Sequence, residues 1–222
     1  MVTAVCRSAP DGRADGLVGR LLRDAVHDRF PPADGTVVYV PPVAGGVEAV
    51  ICFTGYAVVI TELKPARLVA RGIDAFGGAA APAVLLELAG PRGEIDVLDT
   101  LLATFGTGRT GLPERHDLDA HRRVRLSRRW RENVHVHGDD RGLVTIGTGI
   151  GGLPELSFEV EPGQRGRGVG RALLVDALGL VPEGEPVLLS AAPGNARSVR
   201  AALAAGFVPI GSVQLVRPGR LG

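Results

Sequence analysis

Gly166, Gly168 and Gly170 alternate with Arg165, Arg167 and Arg171 around Val169, a pattern suited to holding an anion. Glycine lacks a Cβ where a backbone must approach a ligand, and it adopts dihedrals barred to other residues, so several N–H groups can converge on one point. Directly after the loop, Leu173, Leu174, Ala177 and Leu178 recur at the spacing of one helical face. A helix starting here adds the positive end of its dipole to those amides. Before the loop, Glu155, Ser157 and Glu159 alternate with Leu156, Phe158 and Val160, which predicts a strand with one polar and one apolar face. The expected order is therefore strand, phosphate-binding loop, helix.

The other chemical patterns in the chain are weaker. Gly106/Gly108/Gly111 and Gly147/Gly149/Gly152 also satisfy Gly-x-Gly-x-x-Gly. The first lacks an acidic residue about 20 positions on. The second runs into Leu153-Pro154 and a strand where a nucleotide loop needs a helix. His135-x-His137 with Asp139 puts two imidazoles on one strand face without a further ligand nearby, so no metal site is expected. Arg122, Arg123, Arg125, Arg128, Arg129 and Arg131 have only Trp130 interleaved, which reads as a solvated helix face and not as a nucleic-acid surface. For general-base work, Glu155 is the first candidate, with Ser157 on the same face. An exposed carboxylate at the strand start is the alternative.

The elements that must carry these residues follow from periodicity. Residues 14–30 predict a surface helix. Short β-rich runs at 37–40, 47–53 and 57–61 follow, the last two joined by a turn at Thr54-Gly55-Tyr56. Helical patterns at 65–71 and 82–88 flank Phe76-Gly77-Gly78, and 95–105 fits strand or helix. Residues 117–133 predict a charged helix with Asp117 as its cap. Strands are then expected at 134–137, 143–147, 155–160 and 187–191. Helices are expected from Gly168 and over 196–205, and a closing strand pair, 207–210 and 213–216, about Gly211-Ser212.

A second motif lies downstream: Asn195, which can cap a helix, then that helix, then Gly206-Phe207. Together with Val160-x-Pro162 and Arg165-x-x-Gly168-x-Gly170, this resembles the GNAT superfamily of N-acyltransferases. The resemblance covers about 134–216 and implies acetyl-CoA, or another acyl-CoA, as co-substrate. Its pyrophosphate would lie on the amides of Gly166 to Gly170, and its pantetheine beside residues 155–160 as an added strand. Phe158 and Val160 would bond the pantetheine amides through their backbone, with Glu159 between them. The Phe158 N–H would face the thioester carbonyl, a donor worth about 3 kcal/mol in such sites. Arg165, Arg167 and Arg171 are either phosphate partners or solvated helix-start arginines. Asn195 and Ser198 fall in the second motif, at the cofactor side. Many family members carry a tyrosine acid where this chain has Ala202. Water, the substrate or Ser198 must then protonate the thiolate.

The expectation is an α/β (α+β) protein: a mixed central sheet with flanking helices over 94–222, and an N-terminal α+β domain over 1–93. A degenerate copy of the same fold is the alternative for that first half, since Phe76-Gly77-Gly78 echoes the later loop without its charge. The partners expected are acyl-CoA and an amine, with neither nucleic acid nor membrane. The net charge of +1 draws the chain to neither, and no apolar run approaches the ~20 residues that span a bilayer. Among 25 basic residues only Lys64 is lysine, which points to a GC-rich bacterial genome. Cys6 and Cys52 form no Cys-x-x-Cys pair, and a reducing cytoplasm is the simplest home. The rival reading is an inactive CoA-sensing or protein-binding module.

Overall fold

A computed structural model describes residues 6–8, 14–42, 47–109 and 111–220. The chain divides into two compact units, residues 1–99 with 210–222 and residues 100–209.

In the first unit, β1 (Cys6–Ser8), β2 (Thr36–Val40) and β4 (Tyr56–Ile60) run parallel, and β3 (Glu48–Phe53) is antiparallel to β4. The hairpin turn between β3 and β4 requires Gly55, at φ +63°. β11 (Val208–Arg217) pairs antiparallel with β3 from Ser212 to Val216, and with the short β5 (Glu94–Ile95). Around this sheet are α1 (Ala14–Val26), α2 (Pro65–Val69) and α3 (Pro82–Ala89). Val37, Val50, Ala57 and Val59 bury against Leu68, Val84, Leu85 and Leu88. The order β1-β2-β4-β3 differs from the meander of the second unit. The Phe76–Gly78 loop is filled from within, because the Asp74 carboxylate takes the N–H of Phe76 at 2.7 Å and of Gly78 at 2.8 Å.

The second unit has the order β6-β10-β9-β8-β7. β7 (Glu132–Asp139), β8 (Gly142–Thr148) and β9 (Pro154–Val160) form an antiparallel meander. β10 (Pro186–Ala191) is parallel to β9 and antiparallel to β6 (Asp99–Phe105). One face carries α5 (Val169–Ala177) and α6 (Ala196–Ala204), whose Leu173, Leu174, Ala177 and Ala202 pack on Val144, Leu156, Val187 and Leu189. The other face carries α4 (Arg122–Trp130), whose Val124 packs on Val136 and Leu143. The mixed α/β architecture with a flanked sheet is as expected.

Two elements differ from the sequence reading, and one that it left open is settled. The run at 95–105, open between strand and helix, is strand: Ile95 ends β5, and 99–105 form β6, buried at Leu101, Leu102 and Ala103. A strand covered on both faces reads as one apolar run without alternation, which is why its period was uninformative. The helix expected over 117–133 is only α4, because Arg115 grips both carboxylate oxygens of Asp117, at 2.8 and 2.7 Å. That pairing, chiefly the hydrogen bond from Arg115, holds the Asp117 carboxyl down to about 2. His121 caps instead, its Nδ1 accepting the Arg123 N–H at 3.1 Å. Finally, Gly211 does not turn the chain. It lies inside the continuous β11, where a Cβ would come within 2.6 Å of the Cys52 carbonyl oxygen. The glycine serves close backbone approach within a strand.

Candidate ligand cleft

The loop between β9 and α5 has the geometry of an open cradle. Gly166 and Gly168 have φ of +89° and +77°, where side-chain-bearing residues are strained. A Cβ at either would meet nothing within 4 Å. Dihedral demand, not crowding, therefore selects glycine, and the space above the loop is empty of protein. Gly168 is the N-terminal cap position of α5 and no side chain caps the helix there. The first helical bond runs from Ala172 N–H to Gly168 O at 3.1 Å. The N–H groups of Val169, Gly170 and Arg171 thus have no acceptor within the helix. Gly170 answers to packing: a Cβ there would lie 3.3 Å from Ala201 Cβ and 3.4 Å from the Phe158 ring. It lets α5 settle onto β9 and α6.

Arg167 and Arg171 are exposed at this loop and make no ion pair among the described residues. Arg165 is engaged: its Nε donates to Val160 O at 3.1 Å, and its guanidinium is 3.9 Å from Glu159. One further arginine, not singled out by the sequence, holds the cradle at both ends. Arg141, in the β7–β8 turn, reaches Asp176 of α5 at 2.6 Å and Asp139 at 2.6 Å. Its own carbonyl accepts the Glu161 N–H at 3.0 Å, where β9 leads into the loop. Both hydrogen-bonded carboxylates push the Arg141 guanidinium upward, and Arg141 holds the Asp139 carboxyl below its usual range.

Beside the cradle, β9 and β10 separate. Their register is two pairs, Leu188 with Glu155 and Leu189 with Leu156. Because Glu161 bonds toward β8, alternation turns the peptide groups of Glu159 and Ser157 to the same side. The N–H and C=O of Phe158 and Val160 then face the opposite edge, where β10 has already diverged.

The polar face of β9 lies under α4. Glu155 is 4% exposed, paired with Arg131 and accepting from Ser190 Oγ at 2.9 Å. Ser157 is 8% exposed and accepts from Arg123 Nη1 at 3.3 Å. Glu159 accepts from Arg123 Nε at 3.4 Å. Ser127 and Thr145 share a bond at 2.8 Å between them. Arg123, Ser127 and Arg131 are four residues apart, so the charged run contains an inward polar stripe that its spacing would have disclosed.

At the second motif, Asn195 caps α6, its side-chain oxygen accepting the Ser198 N–H at 3.3 Å. Ser198 is half-buried one turn before Ala202, which is fully buried in the core under α5 and α6. The sequence thus brought together Phe158, Glu159, Val160 and Arg165 to Arg171 around one loop and strand edge. It placed Glu155 in a pair it did not foresee.

The histidine pair and the second glycine pattern also have definite places. His135 Nδ1 lies 3.2 Å from Glu114 and His137 Nδ1 lies 3.0 Å from Leu112 O. No group of three or more metal-ligating side chains occurs among the described residues. Gly147 lies within β8, and Gly149 to Gly152 form the bend into β9. Among the described residues no helix is long and apolar enough to cross a membrane.

No protein-family model matches this chain, and no curated protein does. Among solved structures it is similar to a GNAT-family acetyltransferase from Novosphingobium aromaticivorans, with 17% identity, covering 60% of this chain and 70% of that one, at a TM-score of 0.38. A GNAT-family acetyltransferase from Colwellia psychrerythraea has 11% identity and a TM-score of 0.36, over 61% of this chain and 60% of its own. A GCN5-related N-acetyltransferase from Kribbella flavida has 16% identity and a TM-score of 0.37, over 66% of each chain. The overlap is partial in every case.

Proposed function

We propose that the second unit binds an acyl-CoA and transfers its acyl group to an amine. The observation that carries this is the two-pair register of β9 and β10, which leaves the Phe158 and Val160 peptide edge turned into a gap beside an open, positively disposed glycine loop. An extended ligand with amides along its length and a phosphate at one end fits that pair of features. A coenzyme A pantetheine carries both, and the resemblance of the two sequence motifs to N-acyltransferases agrees.

In this reading the N–H groups of Gly166 to Gly170, with Val169 among them, hold the pyrophosphate at the α5 N-terminus. Arg167 and Arg171 add charge, and Arg165 moves from the Val160 carbonyl to a phosphate as the pantetheine takes that carbonyl. The Phe158 N–H is aimed at the oxygen on which charge develops. Acyl transfer requires the amine nitrogen to attack the thioester carbon while the C–S bond breaks. One ammonium proton leaves to a base, and the thiolate gains a proton. Glu155 is a poor base, because its carboxylate is already held by Arg131 and Ser190. Ala202 supplies no hydroxyl, so protonation of the thiolate falls to Ser198, water or the amine substrate itself.

Calorimetric titration with CoA, followed by assay of free thiol from acetyl-CoA with an amine panel, tests this. CoA binding with thiol release is expected. Absence of CoA binding would overturn the assignment of the loop. Binding without thiol release would favour the second reading, a CoA-binding module without catalysis, for which the buried Ala202 is the specific observation.

A further inference from the structure

The polar face of β9 has two parts of different character. At the level where β9 and β10 still pair, Glu155 is enclosed by Arg131 and Ser190, and its charge is matched. One strand step further, where the strands have parted, Arg123 faces Ser157 and Glu159 with bonds of 3.3 and 3.4 Å. Charge-assisted bonds are ordinarily about 2.7–2.9 Å, and Arg115 reaches 2.8 and 2.7 Å on Asp117 in this same molecule. Arg123 is therefore only loosely engaged. Its side chain is 33% exposed and that of Glu159 37%.

Building on the acyl-transfer reading, we propose that the acceptor is an α-amino acid or a similarly small amine with an adjacent carboxylate. Arg123 takes the carboxylate, and Ser157 with Glu159 takes the ammonium. A guanidinium has five donors in a planar fork that matches a carboxylate, and Arg123 uses few of them. Ser157 and Glu159 lie two residues apart on one face, about 7 Å along the strand, both within reach of the one guanidinium. Ser157 directly precedes Phe158, whose N–H faces the gap, so an amine held at Ser157 sits next to the acyl carbon. Glu159 receives one ammonium proton, the nitrogen bonds the acyl carbon, and the C–S bond breaks. The thiolate takes a second amine proton, and the products are an N-acyl amino acid and free thiol, with one proton passed to solvent.

The test uses the whole chain with matched acceptors: an amino acid, its primary amide and the corresponding decarboxylated amine. Free thiol from acetyl-CoA should form at least about tenfold faster, as kcat/KM, with the acid than with the amide or amine. Arg123→Gln should erase that ratio by lowering the acid far more than the amide or amine, and Arg123→Lys should restore part of it. The Kd for CoA should not change in either variant. As a readout without turnover, the amino acid should show saturation-transfer NMR signals with the CoA-bound protein that Arg123→Gln abolishes. Equal rates for acid and amide overturn the proposal. So does an Arg123→Gln variant that slows both alike or merely lowers the unfolding midpoint, and so does any result in which no amino acid binds or reacts. Wild-type protein that fails to bind CoA instead refutes the underlying donor site, which separates the two failures.

Discussion

Gly168 offers the sharpest perturbation, because its neighbourhood separates backbone strain from ligand repulsion. At φ +77° and ψ 1° it is left-handed, and nothing lies within 4 Å of the Cβ it lacks. Asn and Asp tolerate that conformation best among side-chain-bearing residues, so Gly168→Asn and Gly168→Asp should each cost about 1 kcal/mol of stability or less. On a chain of this size that lowers Tm by about 2–4 °C. The two variants have nearly the same shape, and only Asp brings a charge into the cradle. A carboxylate about 5 Å from one phosphate charge costs about 1 kcal/mol in bulk water and about 3 kcal/mol at the effective dielectric of a protein surface. The loop is exposed, so about 2 kcal/mol is a fair central figure, or about 30-fold in Kd. At CoA a hundredfold above the wild-type Kd, ligand stabilisation is about 2.7 kcal/mol. A 30-fold weaker site retains about 0.9 kcal/mol by the same relation. Calorimetric titration gives Kd directly, and a melt with and without CoA gives the second number. Equal Kd for the Asn and Asp variants would refute the assignment of phosphate to this loop.

Glu155→Ala should destabilise by about 3–5 kcal/mol, since it takes a buried carboxylate away from the largely buried Arg131 guanidinium, as measured by urea unfolding. A loss under about 1 kcal/mol combined with abolished thiol release would instead make Glu155 the base. Arg141→Ala removes partly exposed pairs worth about 0.2–1 kcal/mol each and should weaken CoA about fivefold, with kcat little changed. An unaltered Kd would show that the Asp176 tie does not set the cradle. The Asp139 carboxyl lies below its ordinary 3.8 because Arg141 bonds it. A depressed carboxyl adds stability that is fully present above the ordinary value and fades as pH falls through the lowered one. The penalty of Asp139→Asn should therefore be constant from pH 7 to about 5 and shrink below about 4. Urea midpoints across that range check it, and a penalty that grows on acidification would refute the sign.

The cradle was legible because its requirements are local. Positive φ at Gly166 and Gly168 and an uncapped helix start are properties of a few consecutive residues, as is the Asn195 cap. The apolar face of β9 was legible by alternation. What escaped were contacts made across the sheet: Arg131 with Glu155 over 24 positions, Arg141 with Asp176 over 35, and Arg123 with Ser157 over 34. Glu155 alone looks like a free carboxylate, and only the fold supplies the arginine that neutralises it. Asp117 erred for a related reason, since a cap signal competes with any neighbouring cation and Arg115 is two residues away. Gly211 looked like a turn because close approach and chain reversal call for the same residue type, and Cys52 decides between them only in three dimensions.

The short register of β9 and β10 also makes the strand its own reference for solvent exchange. Peptides of Ser157 and Glu159 point to β8 and are shielded whether or not a ligand is present. Those of Phe158 and Val160 point to the gap, so water reaches them until an extended molecule fills it. Amide deuteration along these four residues would then alternate, slow and fast, in the empty protein. An occupant of the gap that bonds the backbone would flatten the alternation, whereas one that merely rested on the side chains would leave it intact.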